Sequence, residues 1–389
     1  MTRSCFLPFC FAAAFLACEN QTGRPIYQDA DLVFDKDQTG QDDPSDLPDD
    51  PVADDILYDD VPDLSDDRID EDSYDEDMAD EDLVEEEQAL PDFDIVLGDC
   101  PELTAGWNTD FIVNGEESKA LVRSFILSLP DGIAMKRGWP VVFNWHGVGV
   151  TADNFLPMLD TWQNNDIMPF ILVTPEDNNL QMATVPPQGV DWDNLVLDNG
   201  SIEAELYDRL IECLDRQFGV DYTHIHLTGF SAGSIACDSL GVMRGEQIAS
   251  IFTYSGAYFS NPENPADLGA AFSGFIKWPP LDTANKFVQV LVHGAGDANC
   301  GTRNGCDIWS TIGLSVNFEH MAEFDAPYLS GLGHDVILCD HDQGHLMTGV
   351  TQPSLIQFFK DHPLGTDISP YRNGLTGQFA EFCALVPAQ

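Results

Sequence analysis

His224-Ile225-His226-Leu227-Thr228-Gly229-Phe230-Ser231-Ala232-Gly233-Ser234-Ile235-Ala236-Cys237 is the stretch on which the reading of this chain turns. Residues 224–228 read as a strand, and 234–237 open a helix. Between them a serine stands flanked by Gly229 and Gly233. A strand that turns sharply into a helix crowds its own backbone, so the flanking positions must lack side chains. The same turn holds the serine hydroxyl above the sheet, with the helix N-terminus beneath it. The five-residue pattern alone is common; in this strand–turn–helix setting it makes Ser231 a candidate nucleophile.

Upstream, residues 140–145 (PVVFNW) form an apolar strand running into His146-Gly147-Val148-Gly149. A glycine-rich turn there can aim the Val148 N–H, together with the Ala232 N–H, at a carbonyl oxygen as an oxyanion hole. His146 is read as a structural histidine that ties down this loop. Downstream, residues 287–293 (FVQVLVH) form a strand leading to Gly294-Ala295-Gly296-Asp297, and residues 336–339 precede a loop carrying Gly344-His345. The chain order Ser231, Asp297, His345 is that of the α/β-hydrolase triad. Asp335, Asp340 and Asp342 lie nearer His345 in sequence. Asp297 is preferred because it follows a strand expected to approach the histidine loop at the C-terminal edge of the sheet.

The remaining pattern agrees with that layout. Asn114-Gly115 marks a hairpin between residues 111–113 and 121–129, and 170–174 and 248–254 are further strands. Residues 202–218 carry Ile202, Leu206, Leu210, Ile211, Leu214 and Phe218 at helical spacing. Tyr328-Leu329 and 336–339 suggest a last strand region, and 354–360 a closing helix. Strands alternating with helices predict an α/β fold, a mainly parallel sheet with helices on both faces.

Charge is unevenly distributed. The 389 residues hold 67 acidic and 16 basic side chains, a formal net charge of −51. Residues 19–99 contribute 32 Asp+Glu against Arg24, Lys36 and Arg68, leaving −22 for the rest. A polyanion of this size repels the phosphate backbone, which excludes nucleic acid as a partner. Charge this dense, with little apolar surface, predicts a disordered acidic linker over residues 18–98 and a catalytic domain over 99–389. Asp35, Asp37 and Gly40 loosely match a calcium loop, but Pro44 interrupts it and no flanking helices are evident, so no calcium site is assigned.

Residues 1–17 combine Arg3 with the apolar run CFLPFCFAAAFLA, the form of an export signal. Ala17-Cys18 resembles a bacterial lipoprotein signal, in which the cysteine is lipidated. That predicts an outer-membrane or cell-surface lipoprotein, with plain secretion as the alternative and any membrane contact made only through the anchor. Seven cysteines follow the signal: Cys100, Cys213, Cys237, Cys300, Cys306, Cys339 and Cys383. An odd number leaves one unpaired within the monomer. Cys300 and Cys306 could brace the Asp297 loop by pairing together or with Cys339, while Cys213 and Cys237 read as small buried hydrophobes on helices.

Over residues 100–360 the chain resembles the α/β-hydrolase esterases typified by secreted polyhydroxyalkanoate depolymerases and by feruloyl and acetylxylan esterases. The resemblance rests on the hairpin, the Trp145-His146-Gly147 turn, the Ser231 motif, His293-Gly294 with Asp297, and Gly344-His345. It departs at Ala232, where such proteins often have Asn, and at Val148, where they often have Cys. The resemblance implies a serine esterase acting on carboxylic esters, polymeric ones included, through an acyl-enzyme, with no metal or cofactor. A serine peptidase on the same fold, or an inactive module binding a surface polymer, are the alternatives. Trp145, Trp192, Tyr254, Tyr258 and Trp309 either line an acyl pocket or belong to the core.

Overall fold

The computed structural model describes residues 100–114, 121–177, 191–193, 200–256, 278–294, 308–311, 314–341, 343–347, 350–366, 368–375 and 379–387. All of them fall within the second of two units into which the chain divides, Glu86–Gln389. The export signal, Cys18, the acidic linker, Tyr258, Asp297, Cys300, Cys306 and Asp342 lie outside the described residues.

The strands are β1 (Gly106–Asn114), β2 (Leu121–Ser128), β3 (Trp139–Trp145), β4 (Ile171–Pro175), β5 (Val220–Phe230), β6 (Ser250–Tyr254), β7 (Val288–Gly294), β8 (Ile308–Thr311), β9 (Leu314–Asn317), β10 (Val336–His341) and β11 (Cys383–Leu385). The helices are α1 (Ala152–Phe155), α2 (Ile202–Phe218), α3 (Ala232–Arg244), α4 (Phe318–Gly331) and α5 (Gln352–Asp361). Nine strands form one sheet in the order β1-β2-β4-β3-β5-β6-β7-β10-β11, and β8 and β9 form a separate antiparallel pair. From β4 through β10 every neighbouring pair is parallel; β1–β2, β2–β4 and β10–β11 are antiparallel.

The strand period of two explains how the sheet is covered. On β3, Val141, Phe143 and Trp145 enter one apolar cluster with Leu210 and Leu214 of α2 and Leu240 of α3. Val142 between them enters a second cluster with Leu355, Phe358 and Phe359 of α5. Every residue of β3, β4, β6 and β7 is buried, as befits parallel strands covered on both faces. Helix α2 begins where Ser201 accepts N–H bonds from Glu203 and Ala204, and stops at Gly219, whose φ of 80° suits glycine. Among the described residues no helix is long and apolar enough to cross a membrane.

Three expectations need correction. Tyr328 and Leu329 lie in α4 rather than in a strand, because the apolar residues Met321, Ala322, Ala326 and Leu329 recur at helical spacing and are buried. The strand β10 is not the last: residues beyond Asp361 return as β11 along its outer edge, with Cys383 opposite Cys339. Cys339 is bonded to Cys383, and Cys213 is bonded to Cys100 instead of serving as a plain buried hydrophobe. Cys237 is buried and unpaired, as one member of an odd set must be.

Candidate active site

Ser231 joins β5 to α3 with φ 57° and ψ −121°, a conformation a side-chain-bearing residue adopts only at a cost of about 1–3 kcal/mol. The surrounding backbone enforces it. The Ser231 N–H donates to Tyr254 O (2.9 Å), and its carbonyl accepts the Ile235 N–H (3.2 Å). Ser234 Oγ lies within hydrogen-bond distance of the Gly229 and Tyr254 carbonyls and accepts the Tyr254 N–H. A Cβ on Gly229 would overlap the Gly233 backbone, and one on Gly233 would overlap the carbonyls of Trp145 and His146. The elbow is therefore pressed against the end of β3, which is why both flanking positions are glycine.

His345 Nε2 lies 3.1 Å from Ser231 Oγ. The imidazole stacks on Phe318 at the start of α4 (centroids 5.0 Å, 15° between planes) and tilts against Phe230 (4.8 Å). Two aromatic contacts thus help fix the ring against the hydroxyl. The serine itself is 3% exposed, so a reacting group meets it in a largely dry setting.

The loop expected to form the oxyanion hole sits beside Ser231: a Cβ on Gly147 would come 3.1 Å from Ser231 Cβ. The Val150 N–H bonds to Gly147 O (3.2 Å), and Gly149 has φ 72°, the requirement of a type II turn. Gly149 N–H is taken by Asp191 Oδ2 (2.7 Å) and Trp192 Nε1–H by His146 O (2.9 Å). The Val148 amide lies between Gly147 and Gly149, and Ala232, as the first helical residue of α3, has no acceptor within its own helix. His146 Nδ1 is 3.0 Å from Gly147 O; a carbonyl only accepts, so this nitrogen carries the proton. Burial lowers the His146 pKa to about 4, which keeps the ring neutral. His146 thus ties down its loop, as expected.

Of the nearby carboxylates, Asp335 stands at the start of β10, the end remote from His345. It holds Arg372 Nη2 at 2.6 Å and accepts the Ser369 N–H. Asp340 Oδ1 is 3.9 Å from His293 Nδ1. Trp145, Trp192 and Tyr254 are buried core residues, which settles them against the pocket reading; the Trp309 side chain lies outside the description. His224 and His226 bond to each other and His226 to Ser250 near the opposite end of β5.

Sequence reasoning missed the acidic support of the His146–Gly149 turn. Asp191, with φ 61°, reaches Gly149, and burial raises its pKa to about 6, with Asp177 and Glu176 adding to the effect. Glu176 is also raised, first by burial, while Ala152 N–H donates to it. The available signal was position: Glu176-Asp177 directly follows β4, at the carboxyl ends of the strands where open α/β sheets build their sites.

No known family profile and no curated protein matches the chain. Among solved structures, a complex of a cysteine-for-serine variant of pOPH with DMSO aligns over 75% of this chain and 97% of its own, at 14% identity and TM-score 0.56. Native sOPH aligns over 74% and 96%, at 19% identity and TM-score 0.52. At such identities the likeness speaks for architecture alone, and with the strand order above it establishes an α/β-hydrolase fold. A ferulic acid esterase aligns at 15% identity over 61% of this chain and 89% of its own, with TM-score 0.40, and adds no weight.

Proposed function

We propose that the chain is a serine hydrolase of carboxylic esters, with Ser231, His345 and Asp297 as its triad. The observation that carries the reading is the 3.1 Å approach of His345 Nε2 to the hydroxyl of a serine held at φ 57°. His345 takes the Ser231 proton as Oγ attacks the ester carbonyl, and the Val148 and Ala232 amides receive the oxyanion. The protonated imidazole then gives its proton to the leaving alcohol. Water, activated by the same ring, releases the acid and restores Ser231. Asp297 keeps the imidazole in the tautomer that presents a lone pair to the hydroxyl, and it stabilises the charged ring. A structure of the same fold holds pOPH, with alanine in place of serine, together with pNPB. That supports an ester as the substrate class.

The test is direct. A fluorophosphonate should label the protein at Ser231, and Ser231→Ala should lose labelling and lower turnover of p-nitrophenyl butyrate by at least roughly 10³. Aminoacyl anilides should be turned over far more slowly; the reverse preference would make the protein a peptidase. Full activity in Ser231→Ala would remove the reading altogether. A panel of short-chain, feruloyl, acetylxylan and polyester substrates then identifies the natural ester.

The same proposal places the protein outside the cytoplasm, cleaved ahead of Cys18 and anchored by a lipid on it. The bonds Cys100–Cys213 and Cys339–Cys383 support an oxidising compartment. Cys18→Ser should release the protein from membranes and abolish labelling by a palmitate analogue; unchanged partition would remove the anchor. Residues 18–98 are the linker and 99–389 the catalytic domain. Deleting 19–98 should leave kcat/KM on a small ester within about twofold.

A further inference from the structure

Behind the turn that carries Val148, a ring nitrogen of His146 and one carboxylate oxygen from each of Glu176 and Asp177 lie within 4.8 Å of one another. The imidazole is fully buried, and its Nε2 has no hydrogen-bond partner among the described residues. Since Nδ1 spends its proton on Gly147 O, Nε2 presents a lone pair. A buried lone pair without a donor has lost its hydration and recovered nothing for it. Two carboxylates beside it add negative charge; Asp153 acts on Glu176 in the same sense, and Glu176 and Asp177 both act on Asp191. The one cation acting on His146, Arg123, is already bound to Glu203 at 2.7 Å with both side chains buried. Lone pair and carboxylates repel unless a positive centre lies between them.

We propose that His146, Glu176 and Asp177 bind a divalent transition-metal cation that fixes the His146–Gly149 turn. One imidazole nitrogen with two carboxylate oxygens is a donor set for Zn²⁺ or Mn²⁺, whereas Ca²⁺ and Mg²⁺ favour oxygen alone. Bond lengths of about 2.0–2.2 Å require the oxygens to close in on the ring. The Glu176 and Asp177 side chains are half-buried, just past β4. Glu176 already accepts the Ala152 N–H at the start of α1, so the ion would join the ends of β3 and β4 to α1. Its role is structural: it holds the turn beside Ser231 and takes no part in acyl transfer.

The test uses the full-length protein in excess Mg²⁺, which occupies the weak carboxylate sites of residues 19–99. Zn²⁺ is titrated by calorimetry into the wild type and into Glu176→Gln/Asp177→Asn, whose side chains keep their size and hydrogen-bonding oxygens. The wild type should take up one tight equivalent per chain and unfold at a higher temperature with Zn²⁺; the variant should bind at least ~100-fold more weakly, with no such shift. In protein carrying ¹⁵N-histidine, one imidazole signal should move on Zn²⁺ addition in the wild type alone. Equal uptake by both proteins, no tight equivalent in the wild type, or an unmoved imidazole would overturn the site. None of these readouts needs turnover, so the esterase reading stands or falls separately.

Discussion

Gly294 and Gly344 approach so closely that a methyl group on the first would overlap the backbone of the second. Gly294 ends β7 and Gly344 follows the adjacent parallel strand β10, and Gly294 is the register partner of His341. In sequence Asp297 follows Gly294 by three residues and His345 follows His341 by four, and Gly294 and His341 end their strands at the same level. Asp335, at the other end of β10, is committed to Arg372. We therefore expect Asp297→Asn to fold normally and to lower kcat by roughly 10²–10⁴, through the wrong tautomer and an unsupported imidazolium. Asp335→Asn, Asp340→Asn and Asp342→Asn should each cost less than about tenfold. Near-full activity in Asp297→Asn, with collapse in one of the others, would reassign the acid.

Gly233 of the elbow and Gly147 of the turn beside it differ in what surrounds them. A Cβ at position 233 meets carbonyl groups of β3 that cannot yield, whereas one at 147 meets Phe230 and Ser231 at 3.1 Å. Gly233→Ala should therefore destabilise the domain by at least about 3 kcal/mol, read as a lower urea midpoint or loss of soluble protein. Gly147→Ala should cost about 1–3 kcal/mol and also reduce kcat, since it pushes directly on the nucleophile. Equal stability of the two variants would contradict this picture of the elbow.

Asp238 on α3 is fully buried, and its contact is Gln289 Nε2, which donates to Oδ1 at 2.6 Å. Burial raises its pKa to about 8. The folded chain then holds a proton that the unfolded chain has released above about pH 4, so stability falls as pH rises from about 4 to about 8. Asp238→Asn keeps the oxygen that Gln289 needs and removes the titration. Urea unfolding between pH 6 and 8 should show a decline shallower by as much as about 1.4 kcal/mol per pH unit in the variant. Identical slopes would show that this carboxyl is ionised in the fold.

The two disulfides among the described residues close loops of different length, 113 residues for Cys100–Cys213 and 44 for Cys339–Cys383. On a chain-entropy basis they contribute about 5 and about 4 kcal/mol. Replacing both cysteines of either pair by serine should lower the urea midpoint, more for Cys100–Cys213. A larger loss from the Cys339–Cys383 pair would point to strand pairing at β10–β11 as its main role.

The central architecture was legible because it is written locally. Short, largely apolar runs marked β3 and β7, a 3.6-residue period marked α2, and glycine spacing marked the elbow. Ser231 and His345, 114 residues apart, were paired by motif order and meet at 3.1 Å. What escaped depends on distant partners. Nothing near Cys213 announces Cys100, and β11 is three residues long and strand-like only because β10 offers it an edge. Asp191, with φ 61°, takes the N–H of Gly149, 42 residues earlier in the chain. Trp145 and Trp192 looked available for a substrate because a sequence does not say which aromatics the core has already claimed.

The placing of β11 has a consequence for biosynthesis. A polypeptide is made from its N-terminus, and β11 follows every other strand of this sheet in the chain. Until β11 has been made, the outer edge of β10 is unpaired and Cys339 lacks its partner, so a nascent chain offers a bare strand and a free thiol together. The serine elbow and the histidine loop are synthesised well before that edge is sealed. Order of synthesis thus separates two events: the segments around Ser231 and His345 exist first, and the edge of β10 is covered only once residues 383–385 have been made and pair with it.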